Sequence, residues 1–230
     1  MNLEELTSTI IHCEKCERLV AYRQRIAHEK RKAFREWTYW GKPIAGFGDP
    51  LAQVLIVGLA PAAHGGNRTG RAFTGDSSGD FLFAALHRAG YANQPMSISR
   101  DDGLKLQNAY IVAACRCAPP DNKPTRHEFE QCFGYLQTEL GLLPQVRVLL
   151  ALGQLAFDAC LRLLNKTSEP ERSKYAIAPK PIFGHNKAYK LGKYWLMASY
   201  HPSHRNTATK LLTPAMFDEM LFRVRHLSET

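Results

Sequence analysis

Long hydrophobic runs are missing from this sequence. No apolar stretch approaches the ~18 residues of a membrane-spanning helix, so no membrane role is expected. Acidic side chains are in short supply: 21 Asp and Glu face 30 Lys and Arg, a formal charge of +9. A surplus of that sign favours a polyanionic partner, although charge alone does not select nucleic acid. Cysteines are few, at positions 13, 16, 115, 117, 132 and 160. The opening residues, MNLEELTSTI, carry acids where a secretory signal carries a basic head. The expected compartment is therefore cytoplasmic, where thiols stay reduced or bind metal instead of forming a disulfide framework. Two nucleotide-binding fingerprints are absent as well. Gly70 is followed by Arg71-Ala72 instead of Lys-Ser/Thr, and no G-x-G-x-x-G occurs, which argues against an NTP-dependent enzyme. The lack of internal repeats or low-complexity tracts excludes solenoids.

What is present is an alternation of apolar strands and helices. Short apolar runs at 53–59, 109–114, 146–152 and 194–200 read as strands, followed by helices over 78–89, 125–140, 154–164 and 214–227. A helix is also expected over 2–12, and a basic, solvated helix or loop over 23–36. Residues 37–52 read as an irregular approach to the first strand, and 165–190 as a polar, loop-rich excursion. Gly90 stops one helix, and Thr125 with Glu128 makes a capping box for another. Strands without polar alternation, each leading into a helix, imply a parallel sheet covered on both faces. The expected fold class is α/β: a three-layer α/β/α sandwich around a central, mainly parallel four-stranded sheet. No linker divides the chain, so one domain over 1–230 is expected, acting as a monomer.

Ligands in such sheets bind beyond the carboxyl ends of the strands, and three segments leave those ends: 58–80, 115–125 and 201–213. The first reads GLAPAAHGGNRTGRAFTGDSSGD, six glycines in twenty-three residues, a backbone bare enough for a phosphate to approach. Phe73 beside Thr74-Gly75-Asp76 puts an aromatic plate and a carboxylate on one turn. Taken singly, Phe73 reads as core and Asp76 as a helix cap. The second segment, SYHPSHRN, holds His201 just past the last strand. Ser203, Arg205 and Asn206 offer donors to a phosphate, or Ser203 simply caps a helix. The third, CRCAPPDNKPT, carries Asn122 among prolines, where an Asn is ordinarily a turn residue. Cys13-x-x-Cys16 gives half of a four-ligand metal site, Cys132 a third ligand, and either Cys115 or Cys117 the fourth. Zinc and [4Fe–4S] both suit such a set. Cys160 reads as a small buried hydrophobe.

Together these residues resemble the uracil-DNA glycosylase superfamily, most closely its family 5, the iron–sulfur-containing "b" type. The stretch GLAPAAHGGNRTGR, from Gly58 to Arg71, is similar to that family's first motif and His201-Pro202-Ser203 to its second; the likeness runs from Cys13 to about Thr213. The resemblance implies excision of uracil from DNA by cleavage of the N-glycosidic bond, leaving an abasic site. It also implies a broad pocket that accepts other deaminated bases such as hypoxanthine. By resemblance the catalytic residues are Asp76, which positions water and balances the sugar's positive charge, with Asn122 and His201 at the base edge. Gly58, Ala60, Pro61, Ala62, His64 and Phe73 would then contact the substrate, and Asn67, Arg68, Arg71, Ser203, Arg205 and Asn206 the DNA backbone. Cys117-Ala118-Pro119-Pro120 is similar to the family's Cys-x-Pro-Pro segment. That choice makes Cys13, Cys16, Cys117 and Cys132 the ligands of a [4Fe–4S] cluster, pinning about residues 1–50 to the rest. Two departures stand out: Leu59-Ala60-Pro61 has no polar side chain for catalysis, and Ala113 occupies a strand position where relatives carry a base-reading Asn. They leave room for a second reading, a metal-cluster DNA-binding module that recognises damaged DNA without catalysis; Asp76 argues against it.

Overall fold

Among the described residues six strands build one sheet: Phe47–Gly48 (β1), Val54–Gly58 (β2), Ala109–Ala113 (β3), Val148–Leu152 (β4), Lys187–Leu191 (β5) and Tyr194–Ser199 (β6). The computed structural model describes residues 1–167 and 181–230, so the middle of the excursion expected over 165–190 lies outside the described residues. The strand order is β1-β3-β2-β4-β6-β5. The central four are parallel, and every residue of β2, β3 and β4 is buried, as strands covered on both faces must be. The expected four strands are thus the centre of a larger sheet. β1 and β5 add an antiparallel strand at each edge. β1 is two residues long, and β5 is a hairpin partner of β6 across a two-residue turn in which Gly192 takes φ 60°.

The helices are Leu3–Ile11 (α1), Glu17–Glu29 (α2), Gly66–Thr69 (α3), Ser77–Arg88 (α4), Arg126–Leu142 (α5), Gln154–Thr167 (α6), His204–Ala208 (α7) and Pro214–Glu229 (α8). Alternate β2 side chains face opposite layers. Val54 and Ile56 pack with Leu82 and Phe83 of α4 and Phe217 and Met220 of α8. Leu55 and Val57 pack with Leu136 of α5 and with Phe157 and Cys160 of α6. Each such buried side chain contributes about 1.5–3 kcal/mol relative to exposure. The result is the expected three-layer sandwich. Outside it, α1 sets Leu6 and Ile10 against Tyr135 of α5, and α2 sets Leu19 among Cys115, Cys117 and Cys132. The basic run after residue 22 is not uniformly solvated, because Arg23 is buried.

Registers bring the functional loops to one edge. Gly58 pairs with Ala113, and Leu152 with Ser199, so the carboxyl ends of β2, β3, β4 and β6 lie level. The caps there are those the sequence suggests: Thr125 and Glu128 form the capping box of α5, and Ser203 caps α7.

Candidate active site

At that level edge lies a cavity of about 310 Å³. Its floor is backbone and small side chains, from Gly58 to Ala62 with Ala72 and Ala113, and its polar groups are Asp76, Ser78, Asn122, His201 and Ser203. Phe73 supplies the aromatic wall. Its backbone is left-handed at φ 52°, a conformation that an aromatic residue keeps only where its surroundings enforce it. The surroundings are two glycines. A Cβ on Gly58 would come within 2.7 Å of the Phe73 ring, and one on Gly79 would strike the Phe73 carbonyl. The ring lies 6.0 Å from the His201 ring, centroid to centroid, tilted by 31°.

Asp76 caps α4 and also lines the cavity. Its Oδ1 accepts the Ser78 and Gly79 amides, each at 3.0 Å. Oδ2 accepts no hydrogen bond from the described residues and faces Gly65, where any Cβ would collide with it. Burial raises the carboxyl above its ordinary value, opposed by the two amides and by the Arg68 charge. His201 is shifted down by burial, which favours the neutral imidazole at neutral pH. Its carbonyl accepts Asn206 Nδ2 at 2.8 Å, and Gly153 makes room behind it. Asn122 ends the short turn Pro120–Asn122 with φ 56° and reaches the cavity rim.

Several expected contacts are elsewhere. His64 turns from the cavity to meet the Tyr39 hydroxyl at 3.0 Å. Asn67, Arg68 and Arg71 are buried and brace the glycine loop from inside, which removes them from the DNA backbone. Arg68 donates to the carbonyls of His64 and Gly75, with Phe34 and Trp37 rings 3.9 Å and 4.2 Å from its guanidinium carbon. Arg71 pairs with Asp102 at 2.7 Å and donates to Ser97 and Thr74. Asn206 supports His201, and Ser203 combines its cap with a place on the rim. Arg205 alone of the six is exposed. Asp102, Ser97 and Tyr39 were not singled out in the sequence; a lone acid or serine far along the chain carries no local signal that it will brace a glycine loop.

The cysteines gather beside the second loop. Cys115, Cys117 and Cys132 cluster with Leu19, Cys16 packs against them, and Arg23 joins Cys117 Sγ to the Cys13 carbonyl. Cys115 is fully buried and donates Sγ to the Cys117 carbonyl at 3.7 Å, and Cys160 lies apart in α6. Among the described residues no three His, Cys, Asp or Glu side chains are grouped as metal ligands as they stand. The surroundings nevertheless suit a thiolate-bound metal: Arg23, 3% exposed, donates Nη1 to Cys117 Sγ at 3.2 Å, and its buried Nε has no partner among the described residues. A buried cation requires negative charge nearby, which thiolates provide.

The sequence model described as the uracil DNA glycosylase superfamily matches residues 45–225. A type-5 uracil-DNA glycosylase of Thermus thermophilus is 47% identical over 231 residues, covering 99% of each chain. That of Mycobacterium bovis is 44% identical over 226 residues, 97% of this chain and 81% of its own. A type-4 uracil-DNA glycosylase of Pyrobaculum aerophilum is 31% identical over 170 residues, 74% of this chain and 69% of its own.

Proposed function

Because the chain belongs to the uracil DNA glycosylase superfamily and is a glycosylase that excises uracil from DNA, we propose how its own residues perform the reaction. The observation that carries the proposal is the meeting of Phe73, Asp76, Asn122 and His201 on one cavity. A base stacked in DNA is out of reach, so uracil enters the cavity extruded, and the Phe73 ring replaces its lost stacking, worth about 1–3 kcal/mol per base. The N-glycosidic bond then breaks with its electron pair leaving on the base, and positive charge develops on the sugar. Asp76 Oδ2 faces that charge and orients a water, whose oxygen bonds to the anomeric carbon while its proton passes to the carboxylate. His201, neutral, donates a hydrogen bond to the anion forming on the base, and Asn122 holds the base edge. The base finally takes up a proton, and an abasic site remains.

Ala113 and the small residues of the floor support a broader substrate range. A site that fixes few hydrogen bonds leaves few buried groups unpaired when the base edge changes, so hypoxanthine and other deaminated bases are accepted too. Arg205 and the backbone amides of the glycine loop meet the phosphates. Cys13, Cys16, Cys117 and Cys132 hold a [4Fe–4S] cluster, which when bound supplies a cross-link between the α1–α2 junction, the loop after β3, and α5. Through it residues 1–50 join a single domain, and the chain acts as a monomer.

The direct test mixes the protein with uracil-bearing duplex DNA and cleaves abasic sites with alkali. Strand scission is expected with uracil and, more slowly, with hypoxanthine. Binding without scission would leave only a damage-recognition module.

A further inference from the structure

Arg23 joins two parts of the molecule that its place in the sequence keeps apart. It lies on α2, and among the described residues no carboxylate pairs with its buried guanidinium. One side of the residue belongs to the thiol cluster. Nη1 donates to Cys117 Sγ at 3.2 Å and to the Cys13 carbonyl at 3.3 Å, two of the four residues assigned to the cluster, from different segments of the chain. The other side belongs to the glycine loop. The Arg23 carbonyl accepts Asn67 Nδ2 at 3.2 Å. Asn67 is buried in α3, and its own amide donates to the Ala62 carbonyl at 3.1 Å. Ala62 lines the cavity. Three hydrogen bonds, joined through the covalent frames of Arg23 and Asn67, therefore lead from a thiol sulfur to the cavity wall.

We propose that Arg23 is a positioning residue: its guanidinium is the counter-cation of the thiolate site, and its carbonyl is the anchor of the glycine loop. The inference rests on the reading of the four cysteines as cluster ligands. It assigns Asn67 a second duty beside loop bracing, that of reporting the state of the thiol site to the cavity. A physical consequence is that the two ends separate under mutation. Removing the cation disturbs the metal first and the cavity after it. Removing the amide of Asn67 disturbs the cavity alone.

The experiment uses the full chain as purified, with iron content, absorbance near 400 nm and single-turnover excision measured on each variant. Arg23→Met should lose iron to a chelator about tenfold faster than wild type, the scale of a changed residue next to metal ligands, and Arg23→Lys should recover much of the retention. Asn67→Ala should keep wild-type iron and absorbance while kcat falls about tenfold through a displaced loop, with KM little changed. Wild-type iron retention in Arg23→Met overturns the inference, as does wild-type kcat in Asn67→Ala. Should Arg23→Met fail to fold, Arg23→Gln decides in its place: faster iron loss than wild type supports the role of the cation, and equal loss overturns it. A wild-type protein that purifies and reconstitutes without iron overturns the cluster reading itself, an outcome distinct from iron-loaded variants that behave alike.

Discussion

Two aspartates flank the Thr74-Gly75 turn, and they are used in opposite ways. Asp102 meets Arg71 at 2.7 Å and accepts amides from Ile98, Ser99 and Leu104. Burial alone would raise its carboxyl, but Arg71 and those amides outweigh it and hold the group at about 2. Asp76 has two amides on one oxygen and no ion-pair partner among the described residues, and burial lifts it instead. The charge of Asp102 is neutralised in order to fix the loop. That of Asp76 has no ion-pair partner among the described residues and stands beside a cavity, the combination expected of the catalytic role proposed for it.

The comparison breaks most sharply at Asp76→Asn. Asparagine is as good an N-cap as aspartate, so α4 keeps its cap while an unfavourably buried charge disappears. Excision should fall about 100-fold in single-turnover assays, with the melting temperature unchanged or raised. Near-wild-type rates would move catalysis off this residue. Asp102→Asn should do the reverse. Unpairing a largely buried arginine removes about 3 kcal/mol, roughly 6–12 °C in Tm for a chain of this size, while folded protein still excises.

Acid separates the two again. The depressed Asp102 carboxyl contributes stability that is complete above its ordinary 3.8 and is lost as pH falls through about 2, about 2 kcal/mol in all. The raised Asp76 has the opposite sign. Protonating it favours the folded state, so stability is gained below its elevated value, while excision, which on the proposed mechanism uses the carboxylate, should be lost there. A rate profile should therefore drop at a pH above 3.8 and show no step near 6.5, since His201 is held neutral. An inflection at the ordinary histidine value would assign His201 a charged role. The smallest effect is expected from Gly65→Ala, whose methyl meets Asp76 Oδ2. Displacing that oxygen should lower kcat about tenfold with KM steady.

The parallel centre of the sheet was legible because its strands are continuous apolar runs. The edges were not. Phe47–Gly48 is too short to carry a pattern, and β5, KAYKL, sets lysines where an apolar strand signal would stand, as exposed edges do. The cavity residues Phe73, Asp76, Asn122 and His201 were readable from their loops and from the family motifs. The direction in which a loop's polar side chain points was not. Arg68 and Arg71 look like phosphate ligands until Phe34, Trp37 and Asp102, distant in sequence, enclose them. Arg23 escaped for the related reason that helix α2 carries three arginines, Arg18, Arg23 and Arg25, and only packing shows which of them is inside.

Phe73 has a consequence for timing. Its left-handed main chain and the room left by Gly58 and Gly79 set the ring on the cavity wall when the polypeptide folds. An arriving nucleobase therefore meets a stacking surface that is already in place. Discrimination then falls on the DNA, on how readily each damaged nucleotide leaves its helix, and an easily unpaired lesion would be caught sooner than one that fits its partner well.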